Sequence, residues 1–408
     1  MVEVWAWVAV ASMLAYLILA ARRAGKNRQA LATVPRVPPG GPPSPTADGS
    51  ATPTSVLLWR ATWVPVLIRS VVLVLLGLTP LGVTLIHSIS PAGETLRSFA
   101  ACVLIVLIVW APALLARQLR TRALALSPEL RLKVGRRERI RQRLAPAFLL
   151  GIGAWFLCSD LTLFFAWCVE LVVVVGILLW LLDESSASEV TSSPALLATL
   201  KALPYPTQPG LRIIEGYPGK VQSLNPVDIC IVSDSKYSPA HIVVSPRAAE
   251  VFSSRELTAA LGHEVAHVER RDRTVGRRRS SVVVAAVVAS AVGSNALAGL
   301  RAVAGVPQTL GAESLPLMLV SGYAVFRLLH AIDLGLSRGA ERCCDVRMLA
   351  LCQDREAAVA ALTVLQHHLL VPATWTRAQR LLMATHPAMA ERLWLLAHAP
   401  IPAPFAVQ

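Results

Sequence analysis

Residues 257–272 read Leu-Thr-Ala-Ala-Leu-Gly-His-Glu-Val-Ala-His-Val-Glu-Arg-Arg-Asp. Within them stands His263-Glu264-Val265-Ala266-His267, an H-E-x-x-H. On a helix, residues four apart share a face, so His263 and His267 offer two imidazoles to one point. A tetrahedral zinc takes two of its ligands at that spacing, and Glu264 is then placed as general base. The local sequence favours a helix. Ser253 and Glu256 form the pattern of a capping box, and Leu257, Ala259, Ala260 and Leu261 follow with no Pro. The plainer alternative is a surface helix that happens to carry these three residues. With 9 His in 408 residues, such a coincidence is uncommon.

Two histidines do not complete a zinc site, so a third ligand is expected downstream. Residues 336–350 contain Glu341 and Asp345, four apart and therefore on one helical face. Glu341 could then coordinate the metal while Asp345 orients a ligand histidine from behind. Alone, such a pair is more often a solvated acidic edge; beside the upstream motif the balance reverses. Cys343 and Cys344 lie between them, but adjacent cysteines lack the C-x-x-C spacing of a zinc pair, and packing is the better reading.

Taken in order, these residues resemble the HtpX and CAAX prenyl protease family of membrane zinc metallopeptidases. The resemblance rests on the H-E-x-x-H followed by Asp272, on Ser337-Arg338-x-x-Glu341-x-x-x-Asp345, and on Thr385-His386-Pro387 with Arg392. It covers roughly Pro204–Leu396. It implies a gluzincin-like endopeptidase with His263, His267 and Glu341 on one Zn2+ per chain. Glu264 would be the base, and Asp345 and Asp272 would stand behind the ligands. His386 and Arg392 would lie beside the metal, where an imidazole or guanidinium stabilises the oxyanion developing on a scissile carbonyl. Members place an edge strand before the zinc helix for pairing with substrate. Here that region reads Tyr237-Ser238-Pro239-Ala240-His241, a departure from the usual pattern.

Composition sets the surroundings of this site. Hydrophobic residues make up 54% of the chain and charged residues 16%, with mean hydropathy +0.56, which points to an integral membrane protein. The net charge of +14 is carried mostly by Arg clustered beside apolar runs, as topology determinants are. Aromatic interleaving is missing from these clusters, so nucleic acid is not an expected partner. The seven cysteines show no disulfide framework.

Residues 1–21 read as an uncleaved membrane anchor, its N-terminus outside, because the basic residues Arg22, Arg23, Lys26 and Arg28 follow the apolar run rather than precede it. Residues 22–60 are expected to be a linker whose Pro/Gly/Ser/Thr-rich part is 34–54. Residues 61–116 read as a membrane hairpin and 117–143 as a strongly basic cytoplasmic loop. Residues 144–182 read as two tightly joined spans, with one long tilted helix as the rival, and Asp160 and Glu170 within them as helix–helix contacts, with the lining of a polar cavity that leads to the site as the alternative. The catalytic segments are then 183–280 and 334–408, separated by a hydrophobic hairpin at 281–333. If His267 and Glu341 share one metal, they lie on one side of the membrane, and a hairpin between them satisfies that.

The expected fold is therefore a mainly α, multi-span helical bundle. It carries a gluzincin-like α+β zinc metalloprotease domain split by a membrane hairpin. The expected partners are the lipid bilayer and a peptide or membrane-protein substrate, with the site facing the cytoplasm; oligomeric state leaves no signature here. Two other classes compete. A BlaR-type sensor-transducer shares the H-E-x-x-H but places its Glu nearer, with no hairpin between. A non-catalytic scaffold with a structural zinc has no need of Glu264. The basic clusters at 117–143 and 270–279 predict one sidedness for both. Cysteine-accessibility labelling at Thr121 and Ser280 should give matching protection; opposite labelling would mean that 144–182 crosses once.

Overall fold

The structure, a computed structural model, describes residues 2–35, a few positions between 64 and 72, and residues 212–215, 229–233, 241–293, 315–369, 374–382 and 384–401. The Pro-rich linker, nearly all of the 61–116 hairpin, the basic loop 117–143 and the spans expected at 144–182 lie outside these residues.

Helix α1 spans Val2–Ala30 and carries its buried residues at Ala9, Tyr16, Ala20 and Asn27. Their spacings of seven, four and seven draw one narrow stripe along the helix. Around the rest of it Trp7, Leu14 and Ile18 are exposed. Among the described residues, one helix is long and apolar enough to cross a membrane, and it is this one, at Trp7–Ala30. The helix does not stop where the apolar run stops. Residues 22–30 hold no Pro, and Asn27 near their end finds buried partners, so the start of the expected linker is helical and packed.

Three short strands come next: β1 (Arg212–Glu215), β2 (Ile229–Ser233) and β3 (His241–Val244). Their order is β1-β3-β2, with β3 parallel to β1 and antiparallel to β2. The strand nearest the zinc helix is thus the central one. Among the described residues its backbone groups are paired on both sides, so substrate has no open edge to join at His241–Val244, while residues 237–240 lie outside the described ones.

Helix α2 (Pro246–Val251) leads into α3 (Ser254–Glu269). Ser253 accepts from the Glu256 amide while Glu256 accepts from the Ser253 amide, so both halves of the capping box form. The inner face of α3, with Leu257, Leu261 and Val265, packs on Ile242 and Val244 of the sheet and on Met348, Leu349 and Leu351. Leu362, Leu393 and Leu396 close this core. Each such fully buried aliphatic side chain contributes about 1.5–3 kcal/mol.

Arg270 ends α3, and Arg271 takes a left-handed conformation at φ 50. A non-Gly residue there costs about 1–2 kcal/mol. The strain has a result: the chain turns at once into α4 (Asp272–Gly293), placing Asp272 in its first turn, where a carboxylate favours the helix dipole.

Helix α5 runs unbroken from Leu315 to Cys352. It joins both halves of the molecule. Leu329 and Leu336 pack with Tyr16, Ala20 and Ala286 in a trio of α1, α4 and α5, while Met348 to Leu351 enter the core under α3. The boundary read at 333/334 therefore falls inside one helix. Beyond it come α6 (Arg355–Leu369), α7 (Arg377–Leu382) and α8 (Met389–His398).

Where α1 meets α5, a Cβ on Gly339 would lie 2.7 Å from Asn27 Nδ2, which donates to the Leu336 carbonyl. Ala normally gains about 1 kcal/mol over Gly inside a helix. Here that gain should be overridden by displacement of Asn27. Gly339→Ala should lower the melting temperature of the wild type yet raise that of Asn27→Ala. The same sign in both backgrounds would deny the contact.

Candidate metal centre

Helix α3 supplies His263 and His267, and α5 supplies Glu341 and Asp345 from one face, as the spacing predicts. His263, Glu341 and Asp345 are buried, and His267 is partly so. Three side chains converge. His263 Nε2 is 3.2 Å from His267 Nε2 and 3.3 Å from Glu341 Oε2, and His267 Nε2 is 3.4 Å from Glu341 Oε1. Atoms held about 2.0–2.1 Å from a tetrahedral zinc stand about 3.3 Å from one another.

The outer nitrogens of both rings face carboxylates. His267 Nδ1 is 2.9 Å from Asp272 Oδ2, and His263 Nδ1 is 3.1 Å from Asp345 Oδ1. A carboxylate at Nδ1 favours the proton there, which leaves each Nε2 with its lone pair turned inward. Two lone pairs and a carboxylate then face each other in a buried space, which is repulsive unless a cation stands among them. Burial opposes a charge on His263, but the Asp345 and Glu341 carboxylates outweigh burial and raise its pKa to about 9. Burial likewise opposes the charge on Glu341, yet the surrounding imidazoles of His386, His263 and His267 hold its carboxyl well below the usual range. The donor set fits a zinc ion, and His263, His267 and Glu341 together could hold one.

Behind this centre, Arg392 of α8 grips Asp345 with two bonds, Nε at 2.9 Å and Nη2 at 2.6 Å. Burial opposes the Asp345 charge, but the guanidinium overcomes it and lowers the pKa. Arg392 also comes within 3.8 Å of Glu341. The expectation that it stands beside the metal facing substrate therefore changes: its fork is turned to Asp345, inside the protein. His386 lies on the other side, exposed, with Nε2 3.4 Å from Glu341 Oε1. The segment that carries His386 is held by Arg338, whose Nη1 donates to the carbonyls of Arg380 and Ala384, each at 2.7 Å. Glu264 follows His263 on α3 and is partly exposed.

Residues 237–399 match peptidase family M48. These residues form an M48 peptidase domain. No curated protein matches the chain. Among solved structures, the crystal structure of S. mikatae Ste24p aligns with a TM-score of 0.52 at 14% identity, covering 95% of this chain and 98% of that one. At that identity the likeness is one of fold. The converging atoms all lie within the segment that matches the peptidase family.

Other groups around this centre carry no sequence motif. Arg270 Nε is 3.2 Å from Asp272 Oδ2, and Arg347 of α5 binds Glu269 through two bonds at 2.9 and 3.1 Å. Cys344 Sγ lies 3.8 Å from Asp272 Oδ2. Burial, then the Glu341 charge, pushes its thiol well above the ordinary value. As a thiol it is a weak donor to Asp272.

Because Asp345 is fully buried, removing its partner leaves an uncompensated charge. Arg392→Ala should cost about 3–5 kcal/mol and Arg392→Lys less. Denaturant unfolding of the two variants beside wild type reads this directly; equal stability of all three would deny the pair.

Proposed function

We propose that this protein is an integral membrane zinc endopeptidase that hydrolyses peptide bonds in peptide or membrane-protein substrates, with one zinc per chain. The observation that carries the reading is the convergence of His263 Nε2, His267 Nε2 and Glu341 on a point that requires a cation. Membership of the M48 segment in a peptidase family supports the same chemistry.

Zinc bound there would act as a Lewis acid and lower the pKa of a water molecule. Glu264, half-exposed beside His263, takes the proton of the attacking water and passes it to the leaving amine. His386, on the exposed side, donates to the oxyanion that forms on the scissile carbonyl. Asp345 and Asp272 fix the two imidazoles with their lone pairs inward, and Arg392 keeps Asp345 ionised and in place. The apolar helix Trp7–Ala30 supports insertion in a bilayer, and the hydropathy of the whole chain supports further spans. The basic residues that flank them favour a cytoplasmic site.

Purified protein should carry about one zinc per chain, lost in His263→Ala and in His267→Ala. Glu264→Gln should keep its zinc and lose hydrolysis by about 10²–10⁴-fold, because an amide cannot accept the proton. Glu341→Gln should lose both metal and activity. Paired metal analysis and proteolysis in detergent test this. Wild-type cleavage by Glu264→Gln would end the enzymatic reading and leave any zinc structural.

A further inference from the structure

The two ligand histidines are backed differently. His263 is followed by Asp345 and then by Arg392, all within the M48 segment. His267 is followed by Asp272, and Asp272 is met by Arg270 on Oδ2 at 3.2 Å and by Arg23 on Oδ1. Arg23 belongs to α1, more than 200 residues from the motif and outside the matched segment. Its side chain is only 10% exposed, and that of Asp272 is 15% exposed.

One turn further along α1, Asn27 reinforces the same contact. Its Oδ1 accepts from Arg270 Nη2 at 2.6 Å, its Nδ2 donates to the Leu336 carbonyl at 3.3 Å, and its own carbonyl faces Cys343 Sγ at 3.7 Å. Asn27 is 5% exposed, and Gly339 leaves it the room it occupies. One end of α1 thus holds both Asp272 and the arginine that shares it, and touches α5 within a turn of Glu341. A membrane anchor needs none of these polar contacts. A buried carboxylate behind a metal ligand needs cations in fixed places, or it swings or takes up a proton.

We infer that Arg23 is a positioning residue of the metal centre: through Asp272 it orients His267, with Asn27 locking the helix in register. The N-terminal helix is then part of the catalytic unit as well as an anchor. The inference rests on the proposed zinc site and adds a third segment of the chain to it.

The test measures zinc affinity of the full-length protein in detergent, by competition with a chromophoric chelator at fixed pH. It compares wild type with Arg23→Ala, Arg23→Lys, Asp272→Asn and the double variant Arg23→Ala/Asp272→Asn. Loss of a group behind a metal ligand typically weakens affinity 10–100-fold, so Arg23→Ala should bind zinc about tenfold more weakly. Arg23→Lys, which returns the charge, should recover to within about threefold of wild type. If Arg23 acts through Asp272, the double variant should bind no more weakly than Asp272→Asn alone. Should Arg23→Ala not fold, Arg23→Gln takes its place. Wild-type affinity in Arg23→Ala, with only a lower melting temperature of the zinc-stripped protein, would mean a purely structural contact and overturns the inference. So does a double variant whose loss is the product of the two single losses. Wild type that holds no more zinc than His263→Ala overturns the underlying site and the inference with it.

Discussion

Everything around the candidate centre follows from one electrostatic constraint: two imidazole lone pairs and a carboxylate are forced together in a largely buried space. Left alone, that arrangement is unfavourable, and the protein spends several devices on keeping it. Asp345 and Asp272 set the ring tautomers from behind. Arginines hold those carboxylates in turn. The aliphatic core under α3 and α5 fixes the two helices so closely that Leu351 packs against Gly262, the residue before the first ligand. A site of this kind is preorganised for a divalent cation before the cation arrives.

The helix carrying the motif was legible because it is written locally. Capping box, apolar face and i, i+4 spacing all reside within residues 253–269, and each forms as read. The shared face of Glu341 and Asp345 was legible from their spacing, while their role was legible only beside the upstream motif. The order of the three short strands is not written locally. That β3 lies between β1 and β2 depends on pairing across many residues, which alternation within one strand does not encode. Arg392 was located and its partner was missed, because a guanidinium suits an oxyanion and a buried carboxylate equally well.

Arg23 and Asn27 show a different limit. Basic and polar residues after an apolar run have an adequate explanation in membrane topology, and that explanation hides any second use. Only burial separates the two. Arg22, Lys26 and Arg28 are exposed as a juxtamembrane flank should be, while Asn27 among them is buried. The left-handed residue Arg271 was equally silent, since Arg has no preference for that conformation and adopts it here because the surroundings impose it.

The continuity of α5 has a consequence for how this chain can change over evolutionary time. Its first half is keyed to α1 and α4 through Leu329 and Leu336, and its second half is keyed to α3 through Glu341, Asp345 and Met348. Both keys sit on one rigid cylinder, so they share one angular phase. Adding or deleting a single residue between Leu336 and Glu341 rotates one half against the other by about 100° and shifts it by about 1.5 Å. Either the apolar trio or the carboxylate would then point the wrong way. Side chains along this stretch can be exchanged singly, but its length acts as a reading frame: even a change of about seven residues, which restores the angular phase, still moves one half along the axis by about 10 Å.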